Sequence, residues 1–318
     1  MRTKKLFAQK LKTVLVLTLA LSFISIILAG GAASAQNEPP TAEWIYQAED
    51  FKFESLALDE WGNIYAGSTD SSIIKFDSAG DIQEIFELQQ GVINSLTVDE
   101  DGNIYTGNTD NTVRKLNPQG EEIWSYNRHW SSLRTVVLDE ENNLYTGSRD
   151  NLVRKINPDG IRMWTFAEHN RTVNDLAVDS EGNIFSGSTD NTVRKIDPEG
   201  NELWHYDVHW SGVKSVSVDA EDNVITGSRD TKVRKIDSSG HRLWTYKEHS
   251  ASVNAIAVDS QGNIYTGSAD KTLRKLDPEG NEIWRYTGHE GGILDIAIDN
   301  EGNIYTTSTD MTVKKLTQ

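Results

Sequence analysis

The chain has 318 residues, of which 37% are hydrophobic and 25% are charged, a balance typical of a globular protein. Its 48 acidic residues outnumber its 31 Lys and Arg residues, and the formal net charge is −17 at pH 7. Because this charge repels polyanions, nucleic acid and anionic membrane surfaces are not expected partners. The lack of cysteine excludes disulfide bonds, thiolate chemistry and a lipid anchor on cysteine.

Residues 1–35 differ from the rest of the chain. Five basic residues and no acidic one precede an apolar run at residues 14–29, and the small residues Ala33-Ser34-Ala35 follow. This order is typical of a secretory signal peptide, with an uncleaved membrane anchor as the alternative. Since a membrane span needs about 20 residues, we expect residues 1–35 to be a cleaved signal peptide and residues 36–318 to be one domain. Cleavage would leave 26 Lys and Arg against 48 acidic residues, a net charge of −22.

A 40-residue unit then repeats seven times without insertion or deletion. Three positions show the period most clearly. They are Asp59, Asp99, Asp139, Asp179, Asp219, Asp259 and Asp299; Asn63, Asn103, Asn143, Asn183, Asn223, Asn263 and Asn303; and Asp70, Asp110, Asp150, Asp190, Asp230, Asp270 and Asp310. Such a period indicates a repeat architecture in which each unit packs on its neighbours.

One unit predicts four short strands. They are residues 253–258, 264–268, 272–276 and 282–286, and the segments between them are rich in Gly, Asn, Asp and Pro, as turns require. No helical period is present after residue 35. Four strands per 40 residues predict the blade of a β-propeller.

The two ends of the repeat array are out of phase in a way that predicts ring closure. The last unit ends at Gln318 after its third strand, whereas Trp44 lies in phase with the fourth-strand Trp284. A strand at residues 43–47 can therefore complete the last blade and protect its open edge. The predicted fold is all-β, a seven-bladed β-propeller of four-stranded repeats that is closed by the N-terminal strand.

The unit resembles two propeller families. Gly288-His289, with the segment from Gly267 to Arg274, resembles the WD-repeat motif, although the Trp that ends its third strand is absent. The fourth-strand Trp284 and the segment from Gly262 to Ser268 are similar to pyrroloquinoline-quinone-type repeats, including those of non-enzymatic bacterial secreted proteins. Both resemblances imply the fold and leave the function open, because propellers have many unrelated activities.

The WD-repeat resemblance implies a structural hydrogen-bond network of a His before the first strand, a Ser in the second strand and the turn Asp. The positions are His129, His169, His209, His249 and His289, with Asp150, Asp190, Asp230, Asp270 and Asp310. Glu49 and Gln89 replace the His in the first two units. Because these residues recur in most blades, we interpret them as structural and not as catalytic.

The sequence favours neither an enzyme nor a cofactor. No Ser, His and Asp set departs from the repeat to form a catalytic centre, and no residues depart from it to form a quinone pocket. The loop from Asp259 to Asn263 is rich in oxygen ligands but lacks the closing Glu of a calcium loop, so no metal is expected. A ring of lysines in the third strands is expected to pair with the excess acids. They are Lys75, Lys115, Lys155, Lys195, Lys235, Lys275 and Lys315.

Blades three and five share residues that the other blades lack. They are Trp130, Arg134 and Arg149 in blade three, and Trp210, Lys214 and Arg229 in blade five. One interpretation is descent from a duplicated two-blade unit. The other is a pair of equivalent binding patches on one face, since the resemblance to WD repeats places these loops together. Trp61, in the first turn of blade one, is a further exception.

These observations favour a secreted or cell-surface binding protein, expected to be a monomer, that holds a protein partner on one propeller face. A carbohydrate-binding, lectin-like propeller is the alternative, since exposed tryptophans suit sugars. A quinone-type oxidoreductase is the third possibility. We expect the protein in the periplasm or at the cell surface, with a protein or glycan partner.

Overall fold

The computed structural model describes residues 38–88, 91–207 and 209–318. The signal-peptide prediction and Gln89 therefore lie outside the described residues. Within these ranges there are 28 β-strands and no helix, hence none that could span a membrane. The strands form seven four-stranded antiparallel sheets.

The strands follow the repeat. Strand β1 is Thr41–Gln47. Blade one contains β2 (Phe53–Leu58), β3 (Ile64–Ser68), β4 (Ser72–Phe76) and β5 (Ile82–Glu87), and blade two contains β6 (Ile93–Val98), β7 (Ile104–Asn108), β8 (Val113–Leu116) and β9 (Glu122–Tyr126). Blade three contains β10 (Leu133–Leu138), β11 (Leu144–Ser148), β12 (Val153–Ile156) and β13 (Arg162–Phe166), and blade four contains β14 (Val173–Val178), β15 (Ile184–Ser188), β16 (Val193–Ile196) and β17 (Glu202–Tyr206).

The last three blades repeat this pattern. Blade five contains β18 (Val213–Val218), β19 (Val224–Ser228), β20 (Val233–Ile236) and β21 (Arg242–Tyr246), and blade six contains β22 (Val253–Val258), β23 (Ile264–Ser268), β24 (Leu273–Leu276) and β25 (Glu282–Tyr286). Blade seven contains β26 (Ile293–Ile298), β27 (Ile304–Ser308) and β28 (Thr312–Thr317), with β1 as its fourth strand. The first strands of neighbouring blades lie side by side around the central channel.

The second strand of each blade is fully buried, because the next blade packs on it. Its glycine allows this close approach. A Cβ atom on Gly147 would lie 2.6 Å from Cγ2 of Thr135 and 2.8 Å from Cγ1 of Val173 in the next blade. The same position is Gly in the first six blades and Thr307 in blade seven. Hydrophobic clusters consequently form between blades, and there is one such cluster at each junction.

A β-bulge interrupts the first strand of every blade. In blade three, Leu133 pairs with Ser148 and Thr135 pairs with Gly147, so Arg134 has no partner on the second strand. The other blades have the same break. Because a bulge redirects the side chain of the extra residue, this position decides what the inner ring presents at one end of the channel.

Indole N–H groups on the fourth strands tie neighbouring blades together. Each donates to a carbonyl oxygen in the last turn of the next blade. The bonds are Trp44 to Ser78 (3.2 Å), Trp124 to Pro158 (2.9 Å), Trp164 to Pro198 (2.9 Å), Trp204 to Ser238 (2.9 Å) and Trp244 to Pro278 (3.0 Å). Glu84 takes this position in blade one. Trp284 is buried, and its indole N–H has no acceptor among the described residues.

The predicted ring closure is confirmed. Strand β1 pairs antiparallel with β28, from Thr41 opposite Thr317 to Gln47 opposite Thr312. Trp44 is only 5% exposed and packs against aromatic rings of both blade one and blade seven. At the end of the chain, Nε2 of Gln318 donates to the carbonyl oxygen of Glu38 at 3.5 Å.

We predict that Trp44→Ala lowers the free energy of unfolding by about 3–5 kcal/mol, because it leaves a cavity and removes the tie across the seam. Chemical denaturation followed by circular dichroism measures this change. The matched control is Trp61→Ala, since Trp61 is 64% exposed and its loss should change stability by no more than about 0.5 kcal/mol. Equal effects of the two substitutions would contradict a special role for the closing strand.

Candidate functional site

One face of the propeller carries the second-to-third-strand turns and the connections to the next blade. An antiparallel meander returns to the same side at every second turn, so both sets of loops lie on this side, here called the upper face. Trp130 and Trp210 lie in the connections, and Arg149 and Arg229 lie in the turns. Trp61 lies in a first-to-second-strand turn and therefore belongs to the opposite face, where it is close to Gly102 of blade two.

The His and Asp network fixes the loops of the upper face. In blade four, Nδ1 of His169 is 2.9 Å from Oδ2 of Asp190, and Nε2 is 2.8 Å from Oγ of Ser186. Blades six and seven have the same arrangement through His249 and His289. The hydroxyl group that contacts the His, that of Ser186 in blade four, lies two residues before the Ser of the WD-repeat motif. That Ser, Ser188 in blade four, instead accepts the backbone N–H of Asp190 at 3.0 Å.

Blades three and five modify the network by inserting an arginine. Nη1 of Arg154 is 2.7 Å from Nδ1 of His129 and 2.9 Å from Oδ2 of Asp150. The distance from His129 to Asp150 widens to 3.6 Å. In blade five the guanidinium of Arg234 is 2.8 Å from His209. The network predicted from the resemblance is therefore rearranged in these two blades, with the arginine between His and Asp.

Two other residues explain the rearrangement. In blade four, Thr192 donates to Asp190 at 2.6 Å, and Arg194 pairs with Glu202 on the fourth strand. Blade three has Leu152 in place of the Thr and Arg162 in place of the Glu. Asp150 therefore lacks the hydroxyl donor that Asp190 has, and Arg162 repels Arg154 from the fourth strand. As a result, the guanidinium of Arg154 turns toward Asp150. Sequence reasoning missed this substitution pair, although the loss of the repeated Thr signals it.

Charge and burial shift the pKa values of the network in opposite directions. Burial alone would raise the pKa of Asp150, but the hydrogen bond from the backbone of Trp130 and the charge of Arg154 hold it far below its usual range. Burial lowers the pKa of His129, and the charge of Arg154 lowers it further, while Asp150 opposes this change. The histidine is therefore neutral and the aspartate is ionised at neutral pH, which suits a structural clamp.

The two tryptophans of the upper face are exposed and held by their backbones. Trp130 is 82% exposed and Trp210 is 79% exposed. Their backbone N–H groups donate to Oδ2 of Asp150 at 3.1 Å and of Asp230 at 3.2 Å. The network thus presents both indoles to solvent from fixed loops.

The two patches are not equivalent, contrary to the prediction. Nζ of Lys232 lies 4.0 Å from the ring centroid of Trp210 and covers one face of that indole. Blade three has Leu152 in its place, and a cavity of about 570 Å³ opens beside Trp130. The lining of this cavity includes Arg128, Arg162 and Thr165.

Arg134 and Lys214 lie in strands, whereas Trp130 and Trp210 lie in the connections before those strands. The two cations occupy the bulge of the first strands, at the upper end of the channel. The charges of Arg149 and Arg229 act on Arg134, as do those of Glu54 and Asp175. The predicted residues thus separate into two exposed indoles in the outer loops and four cations around the channel.

The third-strand lysines pair with acids, and in most blades the acid is the first-turn aspartate of the same blade. The contacts are Lys75 with Asp59 (3.8 Å), Lys115 with Asp99 (3.8 Å), Lys155 with Asp139 (3.6 Å), Lys195 with Asp179 (3.0 Å), Lys235 with Asp219 (2.7 Å) and Lys315 with Glu43 (3.0 Å). Lys275 donates instead to Gln318 at 3.1 Å. The aspartates lie in the same blade as their lysines, so these pairs stabilise single blades. Among the described residues, no cluster of His, Cys, Asp or Glu is suited to a metal ion.

The repeats match two family models. Residues 149–292 match the PQQ-type model described as "Outer membrane protein assembly factor BamB". Residues 280–315 match the model described as "WD domain, G-beta repeat". The repeats are of the WD-repeat and PQQ-like type.

Solved structures support the propeller fold of this WD-repeat and PQQ-like chain. It resembles the "Crystal structure of WD40 beta propeller domain of Doa1" with a TM-score of 0.80 and 19% sequence identity, over 88% of this chain and 97% of that one. At this identity the likeness shows the fold alone. In all, 1736 chains of solved structures match, which shows how widely the fold is shared and why it does not identify a function. No curated protein matches the sequence.

We predict that the propeller loses stability as the pH falls below about 6.5. Burial lowers the pKa of His129, His209, His249 and His289 from 6.5. The unfolded chain then takes up protons that the folded chain does not, at a cost of up to about 1.4 kcal/mol per pH unit for each histidine. Burial raises the pKa of Asp175, and that of Asp295 to about 7, so these two carboxyls offset part of the loss.

Melting temperatures from about pH 7 to about pH 5 measure this effect. His249→Gln should make the decline less steep, because it removes one group that titrates differently in the two states. His241→Gln is the matched control, since His241 is largely exposed, and the slope should not change. A melting temperature that stays constant over this range would contradict the prediction.

Proposed function

We propose that this protein is an extracytoplasmic scaffold that binds a partner protein through its upper face. The observation that carries the proposal is the exposure of Trp130 and Trp210 on that face, at 82% and 79%. Tryptophan is among the residues most enriched in the energetic centres of protein interfaces. Two exposed indoles on an acidic surface are an apolar feature that a partner can cover.

Rigid presentation of the indoles supports this function. Asp150 accepts the backbone N–H of Trp130 and is itself held by Arg154, and Asp230 and Arg234 repeat this arrangement at Trp210. A loop that is ordered before binding loses less conformational entropy when the partner docks. The two loops belong to alternate blades, so a partner that contacts both must extend across blade four.

Two observations support an extracytoplasmic location. Residues 1–35 have the basic, apolar and small-residue order of a signal peptide. Residues 149–292 match the family model named for an outer membrane assembly factor. The lack of cysteine removes any dependence on the redox state of the compartment.

We predict that a variant with Trp130→Ser and Trp210→Ser loses partner capture and keeps its melting temperature within a few degrees. Truncation of a central interface tryptophan commonly costs about 2 kcal/mol or more, roughly thirtyfold in affinity. Cross-linking in the native envelope, followed by mass spectrometry, measures the capture. Trp61→Ser is the matched control, because it removes an exposed indole from the opposite face. Retained capture in the double variant, or equal loss in the control, would rule out the upper face.

A carbohydrate ligand is the second candidate, and the cavity beside Trp130 favours it. An exposed indole next to polar side chains provides a stacking surface with hydrogen-bond donors, and Arg128, Arg162 and Thr165 line this cavity. In blade five, Lys232 covers one face of Trp210.

The asymmetry between the two indoles gives a specific expectation on a glycan array. Trp130→Ala should abolish sugar binding by removing the stacking surface, whereas Trp210→Ala should leave it unchanged. A protein partner that spans both loops is weakened by either substitution, so the single variants separate the two candidates. An array without any bound glycan would remove the carbohydrate alternative.

A further inference from the structure

The bulge position of the first strand alternates between Asn and a cation from blade two to blade six, with Glu54 in blade one and Leu294 in blade seven. In blades two, four and six it is Asn, and the side-chain amides of Asn94 and Asn174 donate to the carbonyl oxygens of Leu133 and Val213 in the next blade, at 2.7 and 2.6 Å. Asn254 repeats this bond at 3.0 Å. In blades three and five the same position holds a long cation. Arg134 and Lys214 therefore do not make the inter-blade hydrogen bond that the Asn side chains make in blades two, four and six.

Four cations at the upper end of the channel have no partner within the described part of the chain. Arg134, Lys214, Arg149 and Arg229, here called the cation cluster, make no side-chain hydrogen bond or ion pair there. The buried cations of the same two blades are paired. The contrast is clear in the same blades, where Arg154 lies 2.9 Å from Asp150 and Lys235 lies 2.7 Å from Asp219. In a chain of net charge −17, four unpaired cations in one region need an explanation.

The members of the cation cluster act on one another. Burial and the charges of Arg134 and Arg229 together lower the pKa of Lys214 to about 8, against the opposing charges of Asp175 and Glu54. Burial and the charge of Arg149 also lower the pKa of Arg134. Both side chains are half-buried on the inner ring. Their positive charges are therefore held together at a cost to the folded state.

One of the two acids that act on the cation cluster, Asp175, already accepts hydrogen bonds from its own surroundings. The carboxylate of Asp175 accepts the N–H groups of Val216 and Leu176, each at 2.9 Å, and the hydroxyl of Thr135 at 3.1 Å. These bonds join blade four to its neighbours and fix the carboxylate against the strands. Asp175 thus reduces the positive potential without forming an ion pair with the cation cluster.

We propose that the cation cluster is a binding site for an oxyanion with two or more negative charges, at the upper mouth of the channel. Arginine offers a planar fork of donors that matches the oxygens of carboxylate, sulfate and phosphate, and lysine adds a point charge. Two half-buried cations from the inner ring and two exposed ones from the turns surround the mouth. The site goes beyond the proposed function, because neither tryptophan belongs to it.

Isothermal titration with sulfate tests the site directly. Sulfate should bind the full chain with a Kd at or below about 1 mM. Arg134→Gln and Lys214→Gln should each weaken binding about tenfold or more, since each removes a charge-assisted contact. Arg171→Gln is the matched control, because Arg171 is an exposed cation in a connection of the same face and lies outside the cation cluster. Binding that the control weakens as much would show diffuse attraction only and would overturn the proposal.

A second readout does not depend on ligand binding. Loss of a crowded charge should stabilise the free protein, so Lys214→Gln should raise the melting temperature at neutral pH by roughly 2–4 °C. The sign follows from the lowered pKa: below about pH 8 the folded state carries a charge that burial and its neighbours disfavour. A lower melting temperature would assign Lys214 a structural role and contradict the proposal.

The pH dependence identifies the lysine within the site. Sulfate keeps its charge as the pH rises from neutral, whereas Lys214 loses its proton near pH 8. Sulfate affinity should therefore fall severalfold from about pH 7 to about pH 9 in the wild-type chain and stay constant in Lys214→Gln. Equal pH profiles for the two proteins would exclude Lys214 from the site.

The source of the oxyanion is resolved by comparing probes. Inorganic sulfate and phosphate represent a free dianion, and a peptide with consecutive glutamates represents an acidic segment of a partner. Tighter binding of the peptide, lost in Arg134→Gln, would assign the site to a partner's acidic segment. Tighter binding of the small ions would assign it to a free anion. No saturable binding of any probe would overturn the site, whereas the tryptophan variants test the proposed function separately.

Discussion

The antiparallel pairing of the first strand with the last one holds the seven blades in a ring. Without β1, blade seven would end on the open edge of β28, and the seam to blade one would lose the indole of Trp44. Unpaired edges attract other chains and destabilise an open sheet array. The inner ring depends on the same closure, because residues separated by one or more 40-residue periods face a single channel only when all seven blades are in place. Arg134 and Lys214 converge for this reason.

The fold could be predicted from the sequence because the 40-residue repeat has no insertions or deletions. Every strand recurs after 40 residues, and the phase of Trp44 relative to Trp284 shows which blade the N-terminal strand completes. The hydrogen-bond network was predictable only in outline. The pattern does not show that Thr266 and not Ser268 faces His249, since that depends on which side of the strand each residue faces.

The candidate site was less predictable, and two features explain why. The bulge at Arg134 redirects its side chain to the channel, and nothing in the residue pattern marks a bulge. The inward turn of Arg154 depends on a residue of the neighbouring strand, Arg162, which repels it where Glu202 attracts its counterpart in blade four. Such outcomes are set by pairs of residues that are distant in sequence, so single positions do not reveal them.

Some of the residues that blades three and five share are explained by contacts within the blade, and others are not. Leu152 and Arg162 replace the repeated Thr and Glu in blade three, as Lys232 and Arg242 do in blade five, whereas the third-strand arginine itself is unchanged. A duplicated pair of blades would retain such a coupled loss. Packing does not require the exposed indole of Trp130 or the unpaired charge of Arg134. These two features are where selection for binding, and not for folding, would leave its mark.

The contact between Gln318 and Glu38 has a consequence for the topology of the chain. Glu38 and Gln318 lie in contact at one blade. The ring of blades is therefore continuous in space, and the gap in the covalent chain falls at this one contact. A short linker across this gap, with new ends in any exposed turn, would keep every inter-blade contact. Circular permutation could therefore move the gap from blade seven to any other blade, and the upper face could be fused to another protein at a chosen blade.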